Sequence, residues 1–215
     1  MSNIIYYTID VETTGLSSGY HELIEISIIR HSDRVQLSRN IKCENPERSN
    51  LDSLRITNKT LADLELGITK ERAVEECDKF FNEDRLTPGH RCIVGHNINF
   101  DKRFLHAMWA KCNKQFPANL FICTMALSRE YAKKSGLIVK GAAKQKVNLH
   151  AACDMIGINK IALQHSAKTD SRNTYLLYKA LTEEKQINFL PFIKTEAHIL
   201  QAQTDDEPDM SLLDF

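Results

Sequence analysis

The stretch IIYYTIDVETTGL, residues 4–16, joins an apolar run to two acidic residues. Residues 4–9 are rich in β-branched and aromatic side chains and predict a buried strand. Asp10 and Glu12 are two positions apart, so on an extended chain both carboxylates project from the same face. Close carboxylates repel one another and favour a cation between them, and Mg²⁺ takes oxygen ligands of this kind. The stretch predicts either a solvated strand end or part of a metal site.

Length and composition indicate one globular domain. The chain has 215 residues, of which 42% are hydrophobic and 26% charged, which is enough to build a sizeable core. The formal net charge is zero, so no overall basic field attracts a polyanion, and a nucleic-acid partner would need a local patch.

The cysteines and the hydropathy pattern predict a cytoplasmic location. Six cysteines are scattered through apolar stretches without a C-x-x-C pair, which is typical of reduced thiols and argues against a thiolate zinc site. The sequence has neither a secretory signal pattern nor a run of eighteen apolar residues, so we expect neither secretion nor a membrane span.

The order of predicted elements favours an α/β domain with a central mixed β-sheet flanked by helices. Strands are predicted at residues 4–9, 22–30, 35–43, 91–97 and 119–124. Helices are predicted at residues 61–66, 70–83, 99–112, 125–134, 148–158 and 169–185. We expect this domain to span residues 1–190 and residues 191–215 to form a mobile acidic tail.

Two further acidic positions follow later in the chain. The stretch IVGHNINFDKRFL, residues 93–105, puts Asp101 in the first turn of a helix that follows a short strand. The stretch HSAKTD, residues 165–170, puts His165 in a loop and Asp170 in the first turn of the last long helix, with Ser166 as N-cap. Each feature alone is also explained as an acid favoured by a helix N-terminus.

Together, the three motifs resemble those of the DEDDh exonucleases, the DnaQ-like branch of the RNase H-like superfamily. An early D-x-E, a middle HNxxFD and a late HxxxxD appear in that family's order, and the likeness extends from about residue 4 to residue 181. The stretches DVETTGL, GHNINFDKRFL and ICTMALSR are particularly similar to the proofreading and exonuclease X type. The resemblance implies an RNase H-like fold and a 3′–5′ exonuclease.

The resemblance also implies roles for individual residues. It implies that two divalent metal ions, Mg²⁺ or Mn²⁺, are held by four carboxylates: Asp10, Glu12, Asp101 and Asp170. His165 would be the general base that takes a proton from the attacking water. Hydrolysis of the terminal phosphodiester would release nucleoside 5′-monophosphates.

The terminal nucleotide would be held by residues that flank the acidic positions. In the family pattern, Thr13 contacts the 3′-hydroxyl and Leu16 wedges against the last base. His96, Asn97 and Phe100 would line the same pocket. Core packing explains Leu16 and Phe100 equally well.

One segment departs from the family pattern. Relatives often carry a His-Gly-Ile-Thr-like stretch between the first two motifs, and the counterpart here is SLRITNKTL, residues 53–61. Leu54 and Arg55 take the His and Gly positions, so a histidine contact to the terminal nucleotide is not expected. Arg55 is either a phosphate contact or a solvated surface residue.

Charge is separated along the second half of the chain. Residues 129–146 carry six basic side chains and one acidic side chain, whereas residues 204–215 carry five acidic side chains and no basic one. The basic segment either follows the phosphates of a single strand or is a solvated loop. The tail ending in MSLLDF resembles sliding-clamp docking peptides, so the expected partner is a clamp or a polymerase, and the alternative is that the tail folds back on its own domain.

The function predicted from the sequence is metal-dependent 3′–5′ hydrolysis of single-stranded DNA or frayed 3′ ends in replication and repair. The alternatives are an exoribonuclease of RNA processing, a non-catalytic nucleic-acid-binding module on the same fold, and an adaptor whose acids only cap helices. A binding module would be expected to have lost at least one ligand, whereas all five positions are intact. An adaptor would not explain the order of the motifs.

Overall fold

Six strands form one mixed sheet in the computed structural model, which describes residues 4–137, 147–161 and 165–196. The strands are β1 (Ile5–Thr13), β2 (Leu23–Arg30), β3 (Gln36–Asn40), β4 (Arg91–Gly95), β5 (Leu120–Cys123) and β6 (Lys194–Thr195). Their order across the sheet is β3-β2-β1-β4-β5-β6. The β1–β4 and β4–β5 pairs are parallel and the other three pairs are antiparallel. The predicted α/β class with a mixed sheet is confirmed.

Six α-helices accompany the sheet within the described ranges. They are α1 (Leu51–Ile56), α2 (Lys70–Asn82), α3 (Ile98–Lys111), α4 (Thr124–Lys134), α5 (Leu149–Ile156) and α6 (Ala167–Lys179), and α6 continues into a π-helical turn at Ala180–Glu184. Single 3₁₀ turns lie at Pro46–Arg48, Asp63–Glu65, Pro88–His90 and Leu190–Phe192. Across the described residues, every helix falls short of the length and apolarity that crossing a membrane requires.

The two faces of β1 belong to different environments. Tyr7, Ile9 and Val11 are buried in the larger core, which also contains residues of α2 and α3. Because side chains alternate along a strand, Asp10 and Glu12 project from the opposite face. The smaller core, formed with α5 and α6, lies on that second face.

The prediction that β1 ends at residue 9 is wrong. The strand extends to Thr13, and its pairing with β2 continues as far as Thr13 and Leu23, with an irregularity after Glu12. The carboxylates therefore lie within the strand, where the sheet holds their backbone. Parallel pairing with β4 stops at Thr8 and Val94, so the acidic part of β1 faces the crevice that opens where β4 ends.

The segment between β3 and α2 also differs from the prediction. Residues 51–56 form α1, because Asn50 caps it by accepting hydrogen bonds from the amides of Asp52 and Ser53. The helix predicted at 61–66 is only the 3₁₀ turn at Asp63–Glu65.

The sheet includes part of the segment assigned to the tail. Lys194–Thr195 pairs antiparallel with β5, four residues beyond the expected domain boundary at 190. The rest of the predicted tail, residues 197–215 with the MSLLDF sequence, lies outside the described residues. The same is true of residues 138–146 in the predicted basic segment.

Candidate active site

Asp10 and Glu12 of β1 meet Asp170 at the crevice beside β4. Asp170 lies in the first turn of α6, which packs on β1 and β2. Each of the three carboxylates offers an oxygen atom, and these oxygens lie within 4.8 Å of one another. The structure thus brings together three of the four acids that the sequence predicts to bind metal.

The start of α6 is fastened at several points. The Ser166 side chain accepts a hydrogen bond from the Thr169 amide, as expected for an N-cap. The Ser171 hydroxyl donates to Ser27 Oγ on β2 at 2.8 Å. These contacts set the position of Asp170 relative to the sheet.

Asp101, the fourth acid, joins the group through the backbone of β1. It lies in the first turn of α3 and is 4% exposed. Its Oδ1 atom accepts a hydrogen bond from the Val11 amide at 3.2 Å. Because Val11 lies between the two acids of β1, this bond places Asp101 beside both of them.

His165 lies in the loop that precedes α6, the position required for it to approach Asp170. Its Nδ1 atom is 3.2 Å from Asp170 Oδ2. This hydrogen bond to a carboxylate raises the pKa of the imidazole above its usual value. About half of the side chain is exposed, so the ring also faces the solvent side of the crevice.

The carboxylates themselves are held in an unfavourable environment. Burial raises the pKa of Asp10 well above its usual range, and the charges of Asp101 and Asp170 add to this effect. Burial raises the pKa of Glu12 to about 8, again with help from Asp170. Burial also raises the pKa of Asp101 to about 8.

The donor set fits a hard divalent cation. All the atoms contributed by Asp10, Glu12 and Asp170 are oxygens, as Mg²⁺ and Mn²⁺ prefer. Among the described residues, Asp170 Oδ1 is buried and has no hydrogen-bond partner. A cation at this position would offset both the repulsion and the unpaired oxygen.

Two of the predicted nucleotide-binding residues are engaged in internal bonds. The Thr13 hydroxyl donates to the Gly15 carbonyl at 2.7 Å. His96 bonds through one ring nitrogen to Thr124 Oγ1 and through the other to the Val147 carbonyl. Burial lowers the pKa of His96 to about 4. Its ring is therefore neutral, and both nitrogens are occupied within the protein.

Leu16, Asn97 and Phe100 are partly exposed. Leu16 lies in the loop after β1. Asn97 adopts a left-handed backbone conformation, with φ of 60°, immediately before α3. The Phe100 ring packs on Phe104 with centroids 5.0 Å apart, so it borders the larger core.

Sequence reasoning missed a fifth acid, Glu25 of β2. Glu25 is directly opposite Glu12 in the β1–β2 register and is 6% exposed. Its Oε2 atom lies 3.0 Å from Lys59 Nζ, and its Oε1 accepts from the Lys168 amide at 3.3 Å. Glu25 therefore ties the first turn of α6 to the sheet while Lys59 balances its charge. The alternation of side chains along β2 predicts the face of the strand from which Glu25 projects. It does not predict that Glu25 lies opposite Glu12, because that register is set by the pairing of β1 with β2.

Sequence reasoning also missed His150, in the first turn of α5. Its ring stacks on His165, with centroids 5.0 Å apart and an angle of 11° between the planes. No spacing rule connects a residue of α5 with one in the loop before α6, so the sequence carried no signal for this contact.

Comparison with known proteins identifies the family to which the chain belongs. The exonuclease family represented by RNase T matches residues 8–178. The chain belongs to this exonuclease family. The protein is therefore an exonuclease, and its mixed sheet flanked by helices is the fold of the RNase H-like exonucleases. Exonucleases of this kind use divalent metal ions.

Two similar proteins are much longer than this chain. The chain is 30% identical over 193 residues to a PolC-type DNA polymerase III of Latilactobacillus sakei, with 86% of this chain and 12% of the relative covered. It is 26% identical over 181 residues to the PolC-type polymerase of Bacillus cereus, with 83% of this chain and 11% of that protein covered. The chain thus spans about an eighth of these relatives.

Solved structures share the fold at low sequence identity. Escherichia coli exonuclease I in complex with a dT13 oligonucleotide superposes with a TM-score of 0.66 at 15% identity, covering 85% of this chain and 42% of that one. The nuclease domain of 3′hExo, a DEDDh family member bound to rAMP, gives a TM-score of 0.66 at 13% identity, covering 88% of this chain and 96% of that one.

The raised carboxyl pKa values predict how the metal-free protein responds to pH. Because Glu12 has a pKa of about 8 in the folded state and 4.5 as the reference value, the folded state binds more protons than the unfolded state between these values. Stability is therefore lost as the pH rises from about 4.5 to 8. In the presence of EDTA, Glu12→Gln is expected to stabilise the protein at pH 8 by roughly 1–3 kcal/mol and to have a smaller effect at pH 5.

Urea denaturation at the two pH values measures this effect. Asp52→Asn is the control, since this carboxylate is exposed in a pair with Arg55 and its removal should change stability little at either pH. A Glu12→Gln variant that is destabilised at pH 8 would contradict the repulsion described here.

Proposed function

We propose that this exonuclease removes nucleotides one at a time from the 3′ end of single-stranded DNA or of frayed duplex ends, in replication or repair. The observation that carries the proposal is the convergence of Asp10, Glu12 and Asp170 within 4.8 Å, with His165 bonded to Asp170. The named relatives are DNA polymerases, which favours DNA as the substrate.

Four acids are proposed to bind two divalent ions, Mg²⁺ or Mn²⁺: Asp10, Glu12, Asp101 and Asp170. When bound, such ions supply Lewis-acid stabilisation of the phosphoryl and leaving oxygens and make water a better nucleophile. The protein contributes the arrangement of the ligands, because β1 and the first turns of α3 and α6 carry the four carboxylates. Burial limits the competing hydration of these groups.

His165 is proposed to act as the general base. If Nδ1 donates its proton to Asp170 Oδ2, the neutral ring leaves Nε2 as the acceptor of a proton from water. The same carboxylate fixes the orientation of the ring. Asp170 can serve both purposes because Oδ2 faces His165 whereas Oδ1 has no partner within the described ranges.

The terminal nucleotide is proposed to lie between Leu16 and Phe100. Both side chains are apolar and partly exposed, so they can contact the faces of a base. Thr13 can still accept a hydrogen bond from the 3′-hydroxyl, since its own proton is donated to Gly15. Asn97 is proposed to contact the same nucleotide. His96 is proposed to support the pocket from behind through its two internal bonds.

The first test compares substrates and metals. Purified protein is incubated with labelled single-stranded DNA, duplex DNA and RNA, each with Mg²⁺, Mn²⁺ or EDTA. We expect nucleoside 5′-monophosphates from single-stranded DNA with either metal and no product with EDTA. Asp10→Ala and Asp170→Ala should abolish hydrolysis and preserve the fold, since each removes a ligand, and circular dichroism checks the fold.

Two outcomes would contradict the proposal. Near-normal turnover of either alanine variant with Mg²⁺ would exclude the carboxylate site. Faster degradation of RNA than of DNA would assign the protein to RNA processing instead.

The second test concerns the general base. His165→Ala is expected to lower the rate of hydrolysis by roughly 10²–10⁴-fold. His90→Ala is the control, because His90 lies at the opposite end of β4 and contacts Thr87. A normal rate for His165→Ala at neutral pH would remove His165 from the reaction.

A cytoplasmic location and a clamp or polymerase partner also remain proposals. All six cysteines are free and four are buried, which suits a reducing compartment. The partner proposal rests on the sequence of residues 210–215 alone. Deleting residues 208–215 should leave hydrolysis of short oligonucleotides unchanged and abolish capture of the chain by a sliding clamp in a pull-down. A loss of thermal stability on deletion would favour a tail that folds back instead.

A further inference from the structure

Two histidines lie face to face beside Asp170, and the proposed reaction uses only one of them. The second, His150, stacks on His165. Its Nε2 atom lies 3.9 Å from Asp170 Oδ1, which is too far for a hydrogen bond. His150 therefore approaches the carboxylate without bonding to it.

The two facing atoms are both buried and unpaired. Within the described ranges, no hydrogen-bond partner reaches either His150 Nε2 or Asp170 Oδ1, and Asp170 as a whole is 7% exposed. A buried polar atom without a partner destabilises the folded state. The pair is thus arranged to accept a group that binds both atoms at once.

The spacing suits a metal ion with short bonds. One ligand atom from each of His150, His165 and Asp170 lies within 4.8 Å of the others. Zinc binds imidazole nitrogen at about 2.0–2.1 Å and carboxylate oxygen at about 2.0–2.2 Å, which separates the ligand atoms of a tetrahedral site by roughly 3.3–3.5 Å. His150 Nε2 lies 3.9 Å from Asp170 Oδ1, and His165 Nδ1 lies 3.2 Å from Asp170 Oδ2. Each nitrogen is thus close to that separation from one of the two carboxylate oxygens.

The chemistry of this trio differs from that of the four-carboxylate site. Two imidazole nitrogens and one carboxylate suit zinc and related transition metals, whereas magnesium favours oxygen ligands. Three protein ligands would leave the fourth position of a tetrahedral ion to water. The two sites share Asp170, so a nitrogen-preferring ion would compete with the ion that supports hydrolysis.

We propose that His150, His165 and Asp170 form a binding site for a transition-metal ion of the zinc class, and that this ion inhibits the exonuclease. Inhibition follows because the ion occupies the base and one of the catalytic carboxylates together. The inhibitory consequence rests on the proposed function, whereas binding of the ion does not.

The first experiment tests binding without measuring activity. Co²⁺ is added to the full chain, and the visible absorption of four-coordinate cobalt is recorded before and after addition of Zn²⁺. His150→Phe keeps an aromatic ring against His165 but removes the ligand nitrogen. His90→Phe is the matched control, because it removes a histidine at the far end of β4.

We expect the cobalt band in the wild-type and His90→Phe proteins, its loss in His150→Phe, and its displacement by Zn²⁺. Asp10→Asn should keep the band, because Asp10 belongs to the acidic site alone. A wild-type protein without the band would overturn the proposal, as would a band that persists in His150→Phe.

The second experiment measures inhibition. Zn²⁺ is titrated into the Mg²⁺-supported reaction of the wild-type protein and the two phenylalanine variants. His150→Phe should retain most of the hydrolysis and require at least about tenfold more Zn²⁺ for half-inhibition. Equal inhibition of all three proteins would contradict inhibition through His150, because it would show that the inhibitory Zn²⁺ binds at the four-carboxylate site instead. Absence of hydrolysis with every metal would contradict the proposed function. The cobalt spectrum would still show whether His150, His165 and Asp170 bind a transition-metal ion.

Discussion

Electrostatic repulsion among buried carboxylates is the constraint on which the active site depends. Four acids meet at one crevice, and burial raises the pKa of three of them: Asp10, Glu12 and Asp101. A fifth acid, Glu25, lies directly opposite Glu12 on the neighbouring strand β2 and is paired with Lys59. Such a cluster is unfavourable by itself, so the surrounding structure must hold it in place until cations bind.

The scaffold meets this constraint with three kinds of element. The central strand β1 holds Asp10 and Glu12, because its other face is anchored in the large core through Tyr7, Ile9 and Val11. The first turns of α3 and α6 supply the remaining acids, where the helix N-terminus favours negative charge.

The position of Asp170 links the site to the rest of the molecule. Glu25 holds the start of α6 to the sheet through the Lys168 amide, and Ser27 holds it through Ser171. His165 and His150 approach the same carboxylate from the solvent side and from α5. Asp170 is therefore the residue that the proposed carboxylate metal site, the proposed general base and the proposed transition-metal site share.

Local patterns in the sequence determined much of the fold and the acid set. The alternation in β1 predicts that Asp10 and Glu12 share a face. The apolar spacing of α3 and the Ser166 N-cap of α6 predict that Asp101 and Asp170 lie in first turns. These features depend on neighbours within a few positions of one another, so the order of residues reveals them.

Only the tertiary structure decided the contacts between distant segments. The register that sets Glu25 against Glu12, the approach of Lys59, the two internal bonds of His96 and the stacking of His150 on His165 each join residues from different elements. Periodicity specifies the face from which a side chain projects but not the partner that packs there. That partner is decided when the sheet and helices assemble, because burial and strand pairing act between segments far apart in the chain.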